Sequence, residues 1–292
     1  MDSQTKTETL FFETSTTIKA ARSSLKKAND LGGKEWTRYS ISVWNDIRKT
    51  SEEAKLHHPA MFPGALVERI LRCFTSEAEK VVLDPFCGSG ATLVAAKRMG
   101  KVGLGFEVAK EYQRLSSERL LHTQSRLFST GEEPEAKIYP CDARTMGKYL
   151  SPDSVDICVT SPPYWDILSR KRTADSKPVR DYAGSDGDLS KLSHYQLFIE
   201  ELSAVFQQVQ RVLKPGSYCV VIVMDIRKQE KFYPYHADLT ARLCRDDVGF
   251  LLDDIVIWDR RQEYNNLRPL GYPTTFRINK VHEYILIFQK PK

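Results

Sequence analysis

The stretch VVLDPFCGSGATLVAAKRMGKVGLGFEV at 81–108 constrains this chain more than any other. Val81, Val82 and Leu83 form a short apolar run that stops at Asp84, Phe86 to Gly90 have turn character, and 92–99 has helical texture. The segment therefore reads as strand, tight turn and helix. Gly88 and Gly90 let the backbone come close to a ligand, and the helix behind them presents unpaired N–H groups and a partial positive charge. Such a terminus suits an acidic or carboxylate-bearing ligand at the strand's carboxyl end. A second strand, 102–106, ends at Glu107, where a carboxylate can accept two hydrogen bonds from ribose hydroxyls. Together these parts describe a nucleoside-binding half of an open α/β sheet. A glycine turn after a strand is also a plain tight connection, so this segment alone does not name the nucleoside.

A second turn narrows the reading. The apolar strand at 155–159 runs into Thr160, Ser161, Pro162, Pro163, Tyr164 and Trp165. With DPFCGSGAT at 84–92 and TSPPYW at 160–165, the chain resembles the DNA amino-methyltransferases that use S-adenosylmethionine (AdoMet). Their first motif is DPF(C/G)GSGT-like and their catalytic motif is (S/D/N)PPY. The resemblance runs over about 44–289. It implies an α/β, Rossmann-like AdoMet-dependent methyltransferase fold, with a seven-stranded, mostly parallel sheet, an antiparallel last strand and helices on both faces. Strands are expected around Val81, Val102, Lys137, Val155, Tyr218, Ile255 and Tyr284, and covering helices at 111–127, 195–213 and 237–245. In the second helix Phe198, Leu202, Val205, Phe206 and Val209 make one apolar stripe, which marks a core face.

The same resemblance implies a site. Phe62, in an HPxxFP segment that also carries His58, falls at the methionine end of AdoMet. Asp84, Phe86, Gly88, Gly90 and Thr92 belong to the cofactor turn, Glu107 to the ribose and Asp142 to the adenine amino group. Ala91 departs from the pattern, since a threonine more commonly follows the second glycine directly. Ser161, Pro162, Pro163 and Tyr164 are the implied catalytic residues.

Chemistry explains that turn. An exocyclic amine on a base is a poor nucleophile because its lone pair is delocalised into the ring. An oxygen of Ser161 and the carbonyl of Pro162 could accept its two hydrogens and pull the nitrogen toward tetrahedral geometry. Paired prolines hold the carbonyls rigid and remove competing donors. Tyr164 would stack on a base rotated out of duplex DNA. No metal is required. Ser161 shifts the target toward N4 of cytosine, with N6 of adenine and an RNA amino group as alternatives, and a nucleic-acid-binding module without turnover as the non-enzymatic one. Attack on cytosine C5 by Cys141, which follows Pro140, is a weaker reading: no Glu-Asn-Val triplet occurs, and it leaves the proline turn without purpose.

With 292 residues, 41% hydrophobic and 28% charged, one large domain at 36–292 is expected behind an N-terminal arm at 1–35. No apolar run reaches the ~20 residues a bilayer span needs, and the N-terminus lacks a secretory pattern. No membrane association and a cytoplasmic location are expected. The six cysteines form no CxxC or Cys/His cluster, which speaks against a zinc site or a disulfide framework. Net charge is +5, a mild bias toward a polyanionic partner, DNA. No block is left for a large recognition domain, so the loops at 166–194 and 260–281 are the expected readers of sequence, helped by a second copy of the chain (a homodimer) or by a separate specificity or restriction subunit.

Overall fold

Side-chain alternation in the central strands sorts their apolar residues into two cores, one on each face of a single sheet. The computed structural model describes residues 27–55, 62–123, 134–165, 188–263 and 269–292. Its elements begin α1 (Gly33–Tyr39), β1 (Val43–Trp44), α2 (Ser51–Lys55), α3 (Gly64–Phe74), β2 (Val81–Asp84), α4 (Ala91–Arg98), β3 (Val102–Phe106), α5 (Lys110–Leu121) and β4 (Lys137–Tyr139). They continue β5 (Val155–Thr160), α6 (Tyr195–Val212), β6 (Leu213–Val223), β7 (Ile226–Lys228), β8 (Lys231–Tyr233), α7 (Tyr235–Leu243), β9 (Leu251–Asp259) and β10 (His282–Gln289).

Val82, Ile157, Val159, Val220, Ile222, Ile285 and Ile287 pack with Leu66, Ile70, Ala95 and Ala96 of α3 and α4 on one face. Their neighbours Leu83, Cys158, Cys219, Val221, Leu286 and Phe288 pack with α6 and α7 on the other. The α6 stripe is as expected: Phe198, Leu202, Val205, Phe206 and Val209 are at most 1% exposed. Residues buried on both faces explain why these strands read as near-continuous apolar runs.

The sheet order is β1-β9-β10-β6-β5-β2-β3-β4. β10 runs antiparallel to both β6 and β9, and the other pairs are parallel. The mostly parallel sheet with one antiparallel strand is the expected one, but it has eight strands where seven were expected. The addition is β1, whose Val43 and Trp44 pair with Ile257 and Trp258. Its alternating character extends back to Tyr39 in sequence, but Gly33–Tyr39 is helical and only two residues join the edge, held by the buried Trp44. β6 also starts earlier than expected, directly after α6, and a register shift between Val155 and Ile157 accommodates Lys214, Pro215 and Gly216. Proline is tolerated within a strand at such an irregularity.

The order of strand addition reverses at β2: β3 and β4 follow on one side, β5 and β6 on the other. In open α/β sheets the crevice at the carboxyl ends of the strands flanking such a switch is where ligands bind. At the opposite end Asp156 fastens the same strands. Its carboxylate is 7% exposed, accepts the Lys80 and Val81 N–H groups at 2.8 Å and pairs with Lys214 Nζ at 2.5 Å. Asp156→Ala strands two backbone donors and is expected to cost about 2–4 kcal/mol in guanidinium unfolding; a loss under about 0.5 kcal/mol would refute this role.

Among the described residues, no helix is long and apolar enough to cross a membrane, and no group of three His, Cys, Asp or Glu side chains could hold a metal ion. Residues 1–26 of the arm, His58, 166–187 of the first expected recognition loop and 264–268 of the second lie outside the described residues.

Candidate active site

The turn after β2 is built around a buried carboxylate. Asp84 is 1% exposed; its Oδ1 accepts the Phe86 N–H at 3.0 Å and the Thr160 hydroxyl at 2.6 Å. Burial pushes its pKa up to about 6, against the pull of the Thr160 and Thr92 hydroxyls. Asp84 thus ties its own turn to the end of β5. Thr92, fully buried, donates to the Val159 carbonyl at 3.3 Å and adds a second tie to that strand. Gly90, the residue before α4, has φ +77, and a Cβ there would lie 2.8 Å from Ser116 Cβ. Its lack of a side chain therefore serves the approach of α5 as well as the left-handed turn. Asp84, Gly90 and Thr92 lie behind the site's surface and set its shape.

In front of them opens a cleft of ≈ 900 Å³, counted out to its mouth. Phe62, Phe86, Gly88, Glu107 and Asp142 line it together with Ser161, Pro162 and Pro163, while Leu189, Val205, Phe106 and Cys141 add apolar wall. Glu107 accepts the Gly88 N–H on Oε2 at 2.9 Å and the Ala109 N–H on Oε1 at 2.8 Å. Burial nonetheless raises its pKa to about 7, with a smaller push from the charge of Asp84. Asp142 accepts the Arg144 N–H at 2.8 Å, and its Oδ2 meets Arg144 Nη2 at 2.6 Å; Arg144 also pairs with Glu201. An adenine amino group at Asp142 would share a carboxylate already held by a guanidinium. Ala91 lines the cleft at the position where the pattern has threonine.

The proline corner after β5 is clamped from behind. Tyr164, 9% exposed, donates its hydroxyl to Glu283 Oε2 at 3.2 Å, and Glu283 in turn pairs with Arg260. Burial, helped by Glu283, raises the Tyr164 pKa well above the usual range, so the phenol stays a neutral donor. Tyr235, fully buried, donates to the Pro163 carbonyl at 3.3 Å and meets the Tyr164 ring edge-on at 6.3 Å. Trp165 donates to the Leu192 carbonyl at 2.6 Å and meets the Tyr195 and Tyr233 rings edge-on, the three forming one cluster.

Of the twelve residues implied as catalytic or cofactor-binding, eight meet on one cleft: Phe62, Phe86, Gly88, Glu107, Asp142, Ser161, Pro162 and Pro163. The Tyr164 ring is not on that lining; it forms the wall behind it. Cys141 sits next to Asp142 past the end of β4, with β3 and β2 between that strand and β5. Glu283 and Tyr235 were missed. Glu283 had a signal, since a lone acid at the head of an apolar strand needs a partner when buried; Tyr235 had none.

A family model described as DNA methylase, N6_N4_Mtase, matches residues 4–118 and 155–292. The type II methyltransferase M.ScaI of Streptomyces caespitosus is 32% identical over 102 residues, 35% of this chain and 33% of that protein. M2.DpnII of Streptococcus pneumoniae, also a type II methyltransferase, is 38% identical over 97 residues, 33% of this chain and 34% of that one. The chain thus spans about a third of the length of these curated relatives. A Thermus thermophilus protein solved with S-adenosyl-L-methionine superposes with a TM-score of 0.35 and 29% identity over 52% of this chain and 51% of that one. With its model matched along most of the sequence, the chain belongs to the N6/N4 DNA methylase family, whose cofactor is S-adenosylmethionine.

Proposed function

We propose that this protein is an AdoMet-dependent DNA methyltransferase acting on the exocyclic N4 amine of a cytosine everted from the duplex. The observation that carries the reading is the convergence of three neighbouring strand ends: Gly88 after β2 and Glu107 after β3 share one cleft with Ser161, Pro162 and Pro163 after β5. Phe62, Phe86, Gly88, Glu107 and Asp142 would hold the cofactor, and AdoMet supplies an activated methyl on a sulfonium centre. Everything else falls to the chain's own groups. The Ser161 hydroxyl and the Pro162 carbonyl accept the two amino hydrogens and localise the nitrogen lone pair, a preorganised arrangement that needs no reorientation during the reaction. The hydrogen bond from Tyr235 to Pro163 and the Asp84–Thr160 bond keep the corner from moving when a base arrives. Tyr164, expected from the sequence to stack on the base, is buried off the cleft lining; anchored by Glu283, it instead buttresses the proline corner from behind.

Serine at the first position of the four, after threonine, favours N4 of cytosine over N6 of adenine. The test is transfer of labelled methyl from AdoMet to duplex DNA, followed by digestion and mass spectrometry of the nucleosides. N4-methylcytosine is the expected product. N6-methyladenine would overturn the choice of base, and label found only on structured RNA would overturn the choice of DNA.

A further inference from the structure

We infer that the β7–β8 hairpin and the 269–281 segment docked on it form the surface that takes the phosphodiester backbone of the DNA strand carrying the everted base. The inference rests on the function proposed above and adds the place where DNA is gripped. β5 and β6 are parallel neighbours, so the hairpin, which leaves the carboxyl end of β6, emerges at the same edge as the proline corner. Ile226 is 1% exposed in the core that also holds Tyr164 and Trp165. Lys228 Nζ lies 3.9 Å from the Trp165 ring centroid, and the Tyr233 ring 5.1 Å from it. The 269–281 segment is joined on by Arg277, which meets Glu230 Oε1 at 2.5 Å and the Gln229 carbonyl at 3.4 Å.

This surface is basic, and its charge is held in a particular way. Arg227, Lys228, Lys231, Arg277 and Lys280 stand against one exposed carboxylate, Glu230. Arg227 and Lys280 lie over the Phe232 ring at 5.3 and 5.1 Å, and Lys231 over Tyr233 at 4.9 Å. Among the described residues none of these three makes a salt bridge, whereas Arg38, Arg242 and Arg261 elsewhere are each closed onto carboxylates. A ring contact orders a cation without cancelling its charge, so these side chains reach a phosphate with less entropy to lose. Beside them Tyr272, Phe276 and Ile278 are 80%, 94% and 68% exposed. Cations interleaved with uncovered aromatic rings match a nucleic-acid strand, which offers phosphates and base faces together.

The test compares the wild-type chain with an Arg227→Ala, Lys231→Ala, Lys280→Ala variant, none of which touches the cleft. Binding to a duplex is titrated with salt, and AdoMet affinity is measured alongside. Each lost phosphate contact should flatten the slope of log K against log salt by about 0.9, with AdoMet affinity unchanged. Should the triple variant not bind AdoMet, the exposed Lys231→Ala alone is read for a change of about 0.9. An unchanged slope in a variant that still binds DNA overturns the surface and leaves the proposed function standing. A wild-type chain that binds duplex with no salt dependence, or not at all, overturns both. A slope that flattens for structured RNA and not for duplex DNA also overturns the inference.

Discussion

Ser161→Ala is expected to slow methyl transfer in a single turnover by about 10²-fold while leaving AdoMet affinity within about twofold. The reason is that the hydroxyl has work to do only once an amine is present: it accepts a hydrogen whose acidity grows as the nitrogen attacks. A group that acts more strongly on the transition state than on bound cofactor shows up in the rate and not in the binding constant. Pro162→Ala should behave alike, because it loosens the carbonyl that accepts the second hydrogen. Tyr164→Ala removes the wall behind the corner and the partner of Glu283, and is expected to suppress transfer with AdoMet binding retained. Equilibrium titration with AdoMet beside rapid-quench transfer separates the two quantities. If both Tyr164→Ala and Pro162→Ala abolish AdoMet binding, the corner belongs to the cofactor pocket and the assignment of chemistry to it is lost.

The second large effect concerns Glu107 and pH. Its ordinary pKa of 4.5 is raised to about 7 in the folded, unliganded protein. Between those values the folded chain carries a proton that the unfolded chain has lost. Stability therefore declines as pH rises through this window, by roughly 2–4 kcal/mol in total, and levels off above about 7. Ribose hydroxyls donate to the ionised carboxylate, so AdoMet binding runs the other way. Its affinity should strengthen about tenfold per pH unit as pH rises toward 7 and then flatten. Glu107→Gln should remove the pH dependence of AdoMet binding and the part of the stability decline between about pH 6 and 7, leaving the decline below about 6 that Asp84 contributes, and should weaken AdoMet near pH 8 by about 10- to 100-fold. Calorimetric titration across pH 5–8 and unfolding curves at the same pH values check each arm. An AdoMet affinity flat from pH 5 to 8 in the wild-type chain would mean that Glu107 does not meet the ribose.

How far the molecule could be read in advance differs from element to element. The central strands were legible because they are buried on both faces and their apolar residues run almost unbroken, as in VVLD of β2 and VDICVT of β5. The α6 stripe was legible from its helical spacing. β1 was blurred, since two residues pairing on an edge leave too little pattern to separate from the helix before them. The β7–β8 hairpin was not seen at all. Its turn residues are Gln229 and Glu230, not an Asn-Gly or Gly-containing pair, and Gln229 adopts φ 54, a conformation its residue type does not advertise.

Local chemistry along 81–108 and 160–165 was enough to determine a glycine turn into a helix, a carboxylate after the neighbouring strand and a stiff proline corner, because each depends on residues a few positions apart. Only the tertiary structure decided which of those residues face the cleft and which hold it from behind. Asp84 and Thr92 look inward to β5, since the strand beside β2 is 76 residues on in the chain and no local pattern specifies what a buried carboxylate will meet there. The clamp on Tyr164 comes from Glu283, 119 residues away, and exists because β10 inserts antiparallel between β6 and β9. Pairing across such a separation is set by how two whole faces of the sheet bury their side chains, which no single segment encodes.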